Sequence, residues 1–339
     1  MQPHNLALPS VNPRKLIQEK GALALAGLME STGYVIQREM LRDLAHALRS
    51  CSPLLCEGPR GGGKTALGEA LGEACNLPVY YLQGMEGLTL ADVLYSWDTE
   101  GQTQWVKQAI STGMTLAEAR AQQWTREYLI LGEALAAYEA AAIHEDLIPV
   151  FILDEIDKIS EKVEDMLLQL FGRGYAHIPR FGEIGVRDRS RRPVVILLSN
   201  NIRHDLSAPL RSRCVYAWQD PPTPREEIRI LRTRCHEAPP SLIIGIVKMI
   251  NAIRGMAGII DKPGLRESID LIKALAEQGY GELNVQVIEE HLCFLGKRQT
   301  DLANLRKGIA RLESAVRAKA TEYDSWMAEI DQAEVCSAA

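Results

Sequence analysis

Gly58, Pro59, Arg60, Gly61, Gly62, Gly63, Lys64 and Thr65 fit the spacing G-x-x-x-x-G-K-[ST], and Ala66 follows them. Each residue type answers a need of phosphate chemistry. Backbone N–H groups must wrap an anion closely, so side chains near it must be small or absent. Lys64 brings a point charge to the β- and γ-phosphates, and the Thr65 hydroxyl is suited to Mg²⁺. A helix opening at Thr65 aims its positive end at the anion. Gly61, Gly63 and Ala66 also fit the dinucleotide spacing G-x-G-x-x-[GA]. That reading leaves Lys64 and Thr65 without a role, and the next apolar run, LPVYYLQG, ends without an acid. A nucleotide loop is therefore predicted over residues 58–66. The loop alone does not separate kinases, GTPases, motors and switches.

Two further runs end in groups that act on a γ-phosphate. IPVFILDEID carries four apolar residues straight into Asp154 and Glu155, as expected of a buried parallel strand whose carboxyl end faces a ligand crevice. Asp154 there can hold the Mg²⁺ water shell, and Glu155 can polarise an attacking water. PVVILLSNN ends in Ser199, Asn200 and Asn201. An amide at that point can orient water, although turn amides are common. Further on, Arg211 and Arg213 precede another short strand. In the usual doubly wound order they are poorly placed for their own loop and suited to a neighbour's.

The elements that must position these residues are short apolar strands set among helical patterns. SPLLCEG is a strand before the loop, TALGEALGEA a helix after it, and LPVYYLQG a second strand. IQREMLRDLAHALRS is an amphipathic helix leading to the first strand, and residues 1–33, with Pro3, Pro9 and Pro13, read as an arm with one short helix. Residues 84–148, holding Trp97, Trp105 and Trp124, are too long for a plain crossover. Their first part reads as an insertion and REYLILGEALAAYEAAAIH as a helix. YAHIPRFGEIGV reads as a hairpin, and the arginine-dense RDRSRRP after it as a solvated turn or subunit contact rather than a nucleic-acid patch. Beyond DPPTP the pattern turns wholly helical. Leu302, Leu305, Ile309, Leu312, Val316, Tyr323, Trp326 and Ile330 there form a heptad-like stripe, which suits a coiled coil or docking on its own domain or a neighbour.

Composition bounds the class. The 339 residues suggest about two domains. The net charge of −6 provides no global basic footprint for nucleic acid. Seven scattered cysteines without C-x-x-C spacing read as reduced thiols rather than disulfides or a zinc site. No apolar run reaches membrane length, and GALALAGLM near the start is too short and too close to Glu19 and Glu30 to serve as a signal peptide. A cytoplasmic protein with no membrane association is expected.

In this order the P-loop, ILDEID, LLSNN, PLRSRC and KPGLRESID resemble AAA+ ATPases, and within them the MoxR class in its CoxD-like branch. The likeness spans residues 34–296. It implies an α/β fold: a P-loop AAA+ core with a parallel sheet flanked by helices over 34–220, then a small all-α lid over 221–296. Residues 1–33 are the arm and 297–339 a C-terminal helix. It implies that residues 58–65 are similar to Walker A, Asp154 and Glu155 to Walker B, and Asn200 to sensor 1. Arg213 resembles the arginine finger offered to the adjacent subunit, with Arg211 as a weaker competitor, and Arg266 the sensor 2 arginine. The hairpin near 179–186 and the region after Gly84 resemble the two insertions of that clade. ATP and Mg²⁺ are the implied cofactors. A homo-oligomeric ring, usually of six, remodelling a protein client with a separate von Willebrand factor A domain partner, is the implied assembly. A clamp-loader-like ATPase acting on nucleic acid is the second reading, because Ser-Arg-Cys also marks those proteins. A small-molecule kinase is the third.

Overall fold

Apolar runs without alternation need cover on both faces, and here they receive it from helices. The computed structural model describes residues 9–59, 61–144, 147–200 and 205–338, with side chains through 332. The chain divides into two compact units, the second beginning at Asp220 and also taking in Gly33–Val35 and Pro59–Gly63.

The first unit starts with α1 (Pro13–Lys20), α2 (Ala22–Ser31) and α3 (Arg38–Ser50). Strand β1 (Leu54–Glu57), α4 (Lys64–Ala74) and β2 (Val79–Gln83) follow. Next come α5 (Leu90–Val93), β3 (Tyr95–Trp97), α6 (Thr99–Ser111), α7 (Leu116–Gln122), β4 (Leu129–Leu131) and α8 (Glu133–Ile143). The unit continues through β5 (Val150–Asp154), α9 (Glu161–Arg173), β6 (Tyr175–Ile178), β7 (Gly182–Gly185), β8 (Val194–Ser199), α10 (Ala208–Arg213) and β9 (Val215–Trp218).

Five of these strands form one sheet in the order β2-β5-β8-β1-β9, parallel throughout. Every residue of β1 and β8 is buried, as are the four apolar residues of β5. Since β8 lies between β1 and β5, the carboxyl ends of these three strands meet at one edge of the sheet. The α/β fold read from the sequence is the fold observed.

Some local expectations need correction. The proposed arm holds two helices rather than one. Asn12 caps α1 by accepting the Arg14 and Lys15 N–H groups, with Pro13 at the first helical position. Ile17, Leu25 and Met29 are buried, so residues 13–31 belong to the core. Leu129–Leu131 is a strand rather than the start of the following helix. It pairs antiparallel with β3, Trp97 facing Leu129. Trp97 meets Trp124 edge-on at 5.0 Å and Phe181 at 6.2 Å, so these aromatics pack on one another. The hairpin is present as β6 and β7, with Ile178 opposite Gly182.

The second unit is helical: α11 (Pro224–Arg234), α12 (Pro240–Arg254), α13 (Leu265–Glu277), α14 (Val285–Glu290), α15 (Leu292–Leu295), α16 (Gln299–Lys307), α17 (Ile309–Arg317) and α18 (Thr321–Ala338). The expected single C-terminal helix is three helices. Leu305, Leu312 and Tyr323 of the stripe are buried in this unit's core, and Leu302, Ile309, Val316, Trp326 and Ile330 pack against it. The stripe therefore serves its own unit. Ion pairs Arg225–Glu329 and Arg232–Asp331 tie α11 to α18.

Candidate nucleotide site

The buried β1 delivers the chain to a bend at Gly58. A Cβ on Gly58 would stand 2.3 Å from the Gln219 carbonyl oxygen, so no side chain fits. Gly61 and Gly63 take φ of 77° and 82°, a region that a residue with a Cβ rarely adopts. Lys64 is buried at the first position of α4, and its Nζ donates to the Gly58 carbonyl at 2.9 Å. Arg60, placed in the loop by sequence, lies outside the described residues, as does Asn201. Pro59, Gly62 and Ala66 complete the loop and the first turn of α4.

Thr65 Oγ1 donates to Asp154 Oδ2 at 2.7 Å, which joins the start of α4 to the carboxyl end of β5. Asp154 Oδ1 accepts the Glu155 N–H at 2.7 Å. These are hard oxygen donors from one carboxylate and one hydroxyl. That set suits Mg²⁺, which keeps waters and takes its other ligands from phosphates. Among the described residues no group of three or more His, Cys, Asp or Glu side chains is arranged to hold a metal.

Glu155 adopts φ 51° and ψ 45°, strained for a residue with a side chain. Its carboxylate is held on one oxygen by two donors, Gln83 Nε2 at 2.6 Å and Lys158 Nζ in a close ion pair. Gln83 stands beside Asp154 in the β2–β5 register. Tyr81, two residues earlier and so on the same face of β2, brings its hydroxyl to Gln83 Oε1 at 2.5 Å and Asp154 Oδ2 at 3.3 Å. Partial burial, followed by the charge of Asp154 and the hydrogen bond to it, pushes the Tyr81 phenol up to about 12. Sequence reading missed Tyr81, Gln83 and Lys158. The available signal was period-two alternation ending level with the acids.

Asn200 follows β8 at the same edge, its N–H donating to Asp157 Oδ1 at 3.3 Å. Asp157 is buried, and its carboxylate anchors the end of β8. The two arginines of α10 differ. Arg211 Nη2 lies 3.0 Å from Glu57 Oε1, and Tyr216 donates to the other Glu57 oxygen at 3.1 Å. Arg211 is thus tied to a buried carboxylate next to the loop of its own chain. Arg213 donates to the Pro209 carbonyl and lines an open cavity of about 480 Å³ with Asp165, Leu168, Gln169, Gly172 and Arg173. The N-terminus of α10 is fixed by Glu164, which accepts from the Ser207 N–H and hydroxyl. Arg266 lies exposed on the first turn of α13, in the second unit.

The arginines of 187–192 are engaged within the first unit. Arg187 pairs with Glu183 and stacks on Tyr175, Arg189 donates to Ser50 O, and Arg191 donates to Ala141 O. The buried Arg192 donates to the carbonyls of Phe171, Arg173, Val186 and Arg187. It thereby satisfies carbonyls left open at the C-terminus of α9. Residues 187–190 are exposed, as expected of a solvated turn, and the buried Arg192 adds an internal clamp that the sequence did not predict.

No helix among the described residues is long and apolar enough to cross a membrane. Comparison with curated proteins yields no match. Residues 53–214 match the family model of the AAA domain, dynein-related subfamily. That span runs from the start of β1 to the end of α10 and takes in the loop, both acids and both arginines. Over residues 53–214 the chain is therefore similar to AAA domains.

Proposed function

We propose that this chain is an ATP hydrolase of the MoxR class, CoxD-like branch, which works as a ring and remodels a protein client. The observation that carries the ATPase reading is the hydrogen bond from Thr65 to Asp154, with Glu155 next in the chain, at the edge where the loop leaves the sheet. The loop N–H groups and Lys64 hold the β- and γ-phosphates. Thr65 and Asp154 would hold Mg²⁺, which would supply neutralisation of charge on the phosphates. Glu155 accepts a proton as water oxygen attacks the γ-phosphorus and the bond to the β-phosphate oxygen breaks. Asn200 orients that water.

Arg213 serves the site of the adjacent subunit, because Arg211 is already held by Glu57 while Arg213 faces an open cavity. A guanidinium there stabilises charge developing on the γ-phosphate. Arg266 is assigned the same class of role from the lid. A ring of six copies, a separate von Willebrand factor A domain partner, a client in metalloenzyme or complex maturation and a cytoplasmic setting complete the reading, resting on the sequence resemblance.

Glu155→Gln tests it. The variant should bind ATP like the parent and lose about 10²–10⁴ of the hydrolysis rate, the worth of a positioned base, measured as phosphate release. Normal turnover by that variant sinks the assignment. Chains captured with it in the presence of ATP should include the client.

A further inference from the structure

We propose that Asp157 is a positioning residue that sets the distance between the base Glu155 and the water-orienting amide of Asn200. The proposal rests on the ATPase reading above. β5 and β8 pair in parallel from Val150 opposite Val194 to Leu153 opposite Leu197, and there the ladder stops. The chain after Asp154 enters a single 3₁₀ turn, Ile156–Lys158, with Glu155 at its start. β8 runs on beside β1 to Ser199, so the N–H of Asn200 on the β5 side has no strand left to bond. The Asp157 carboxylate takes that place, its Oδ1 accepting the Asn200 N–H at 3.3 Å. One side chain thus adds a link to the sheet where the backbone ladder ends.

Asp157 is 1 % exposed. Water could satisfy the Asn200 N–H without the cost of burying an acid. What the buried acid adds is a fixed position, because a desolvated carboxylate is held by its donors. The turn itself is anchored from its other sides. Ile156 is fully buried and Ile159 nearly so, both in the core of the first unit, and the Lys158 N–H donates to the Glu155 carbonyl at 2.9 Å. Glu155 takes φ 51° and ψ 45°, and a residue with a side chain stays there only where its surroundings over-determine it. Asp157, two residues on, ties this strained turn to the end of β8. A base and an orienting amide act on one water, so an error in the place of either is felt in the rate. Displacement of about 1 Å from the reactive geometry costs about 10²-fold. Nucleotide affinity is set by the loop and Lys64, which Asp157 leaves untouched.

Asp157→Leu keeps the size and branching of the side chain and removes the acceptor. Asp157→Ser ends one bond short of the Asn200 N–H and makes the same test should the leucine variant fail to fold. Folding is checked by denaturant titration, and rates are read as phosphate release where the variant is fully folded. Each variant should keep its KM for ATP and its ADP affinity within about twofold of the parent and lose about 10- to 100-fold in kcat. Asp157→Asn returns an accepting oxygen to the same place and should restore kcat to within about threefold of the parent. In an Asn200→Ala background, the loss caused by Asp157→Leu should shrink to less than about threefold, because the amide it positions is gone. Parent-like kcat in the leucine or serine variant overturns the proposal. So does a loss that falls on KM and ADP affinity instead of kcat, an asparagine variant as slow as the leucine one, or additive losses in the double variant. Any of these, in a parent that hydrolyses ATP, sinks the proposal alone. A parent that binds ADP yet does not hydrolyse ATP sinks the ATPase reading and the proposal with it.

Discussion

Carboxylates are held in opposite ways in two regions of this chain. In the helical unit Glu227 is fully buried, accepting from both Arg254 terminal nitrogens at 2.8 and 3.2 Å and from Ser268 Oγ at 2.7 Å. Asp301, also fully buried, takes the Ile260 and Asp261 N–H groups at 3.0 and 3.2 Å. These acids have settled partners on several elements and no access to solvent. At the sheet edge Asp154 and Glu155 are part-exposed, and donors converge on single oxygens. Glu155 also sits in a strained backbone conformation. Fully satisfied buried charges specify structure, whereas part-exposed charges whose donors can be redistributed are placed to act.

The sharpest test of that contrast uses the two arginines of α10. Arg213→Ala should keep its fold and its ATP binding and lose about 10³–10⁵ in hydrolysis, the range of an arginine finger. Mixing it with Lys64→Ala should restore part of the activity once subunits exchange, because some interfaces then pair an intact loop with an intact Arg213. Arg211→Ala should behave in the reverse manner. It leaves the buried Glu57 with Tyr216 as its remaining hydroxyl donor, and should cost about 1–3 kcal/mol of stability in denaturant unfolding. Parent-like hydrolysis by Arg213→Ala would show that the contrast has been assigned to the wrong arginine.

Glu227→Ala should act on stability alone. Removing one partner of a buried pair costs about 3–5 kcal/mol. The loss should appear as a lowered unfolding midpoint, while ATP affinity of the remaining folded protein stays at the parent value. Weakened nucleotide binding without loss of stability would make Glu227 part of the site.

The smallest effect concerns thiols. Burial pushes Cys56, Cys75 and Cys214 from the usual 9.0 up to about 12. Folding thus favours the protonated thiols. Their contribution is intact below the unfolded value and is lost as pH rises from about 8.5 toward 12, because the unfolded thiols ionise first. Near pH 8 the exposed Cys293 should alkylate first among the described cysteines of the folded protein, with the buried Cys56 and Cys75 reacting on unfolding. Rapid native modification of Cys56 would show that β1 opens more readily than its burial implies.

Much of the site was legible because it is local in the chain. The loop, the acids after β5 and the amide after β8 each follow a continuous apolar run, and a buried strand ends where its first charged residue must meet solvent or ligand. The helical stripe was legible for the same reason of spacing. The breaks that divide it into α16, α17 and α18 depended on Gly308 and on the turn around Ala318. Within the arginine-rich 187–192 only the clamp made by Arg192 was illegible, since carbonyls as far as Phe171 answer its charge.

Residue type and spacing by themselves determined that this chain builds a glycine-rich loop between a strand and a helix, a parallel sheet and a helical second unit, because backbone conformation and strand burial are read from neighbours. Tertiary structure decided the roles of groups whose partners lie far away. The strand register set Tyr81 and Gln83 beside the acids, and the packing of β1 against β9 and α10 claimed Arg211 for Glu57 and left Arg213 facing a cavity. An ion pair or hydrogen bond depends on distances of a few ångströms between residues more than a hundred positions apart, as Glu57 and Arg211 are, and only the folded arrangement of strands specifies those distances.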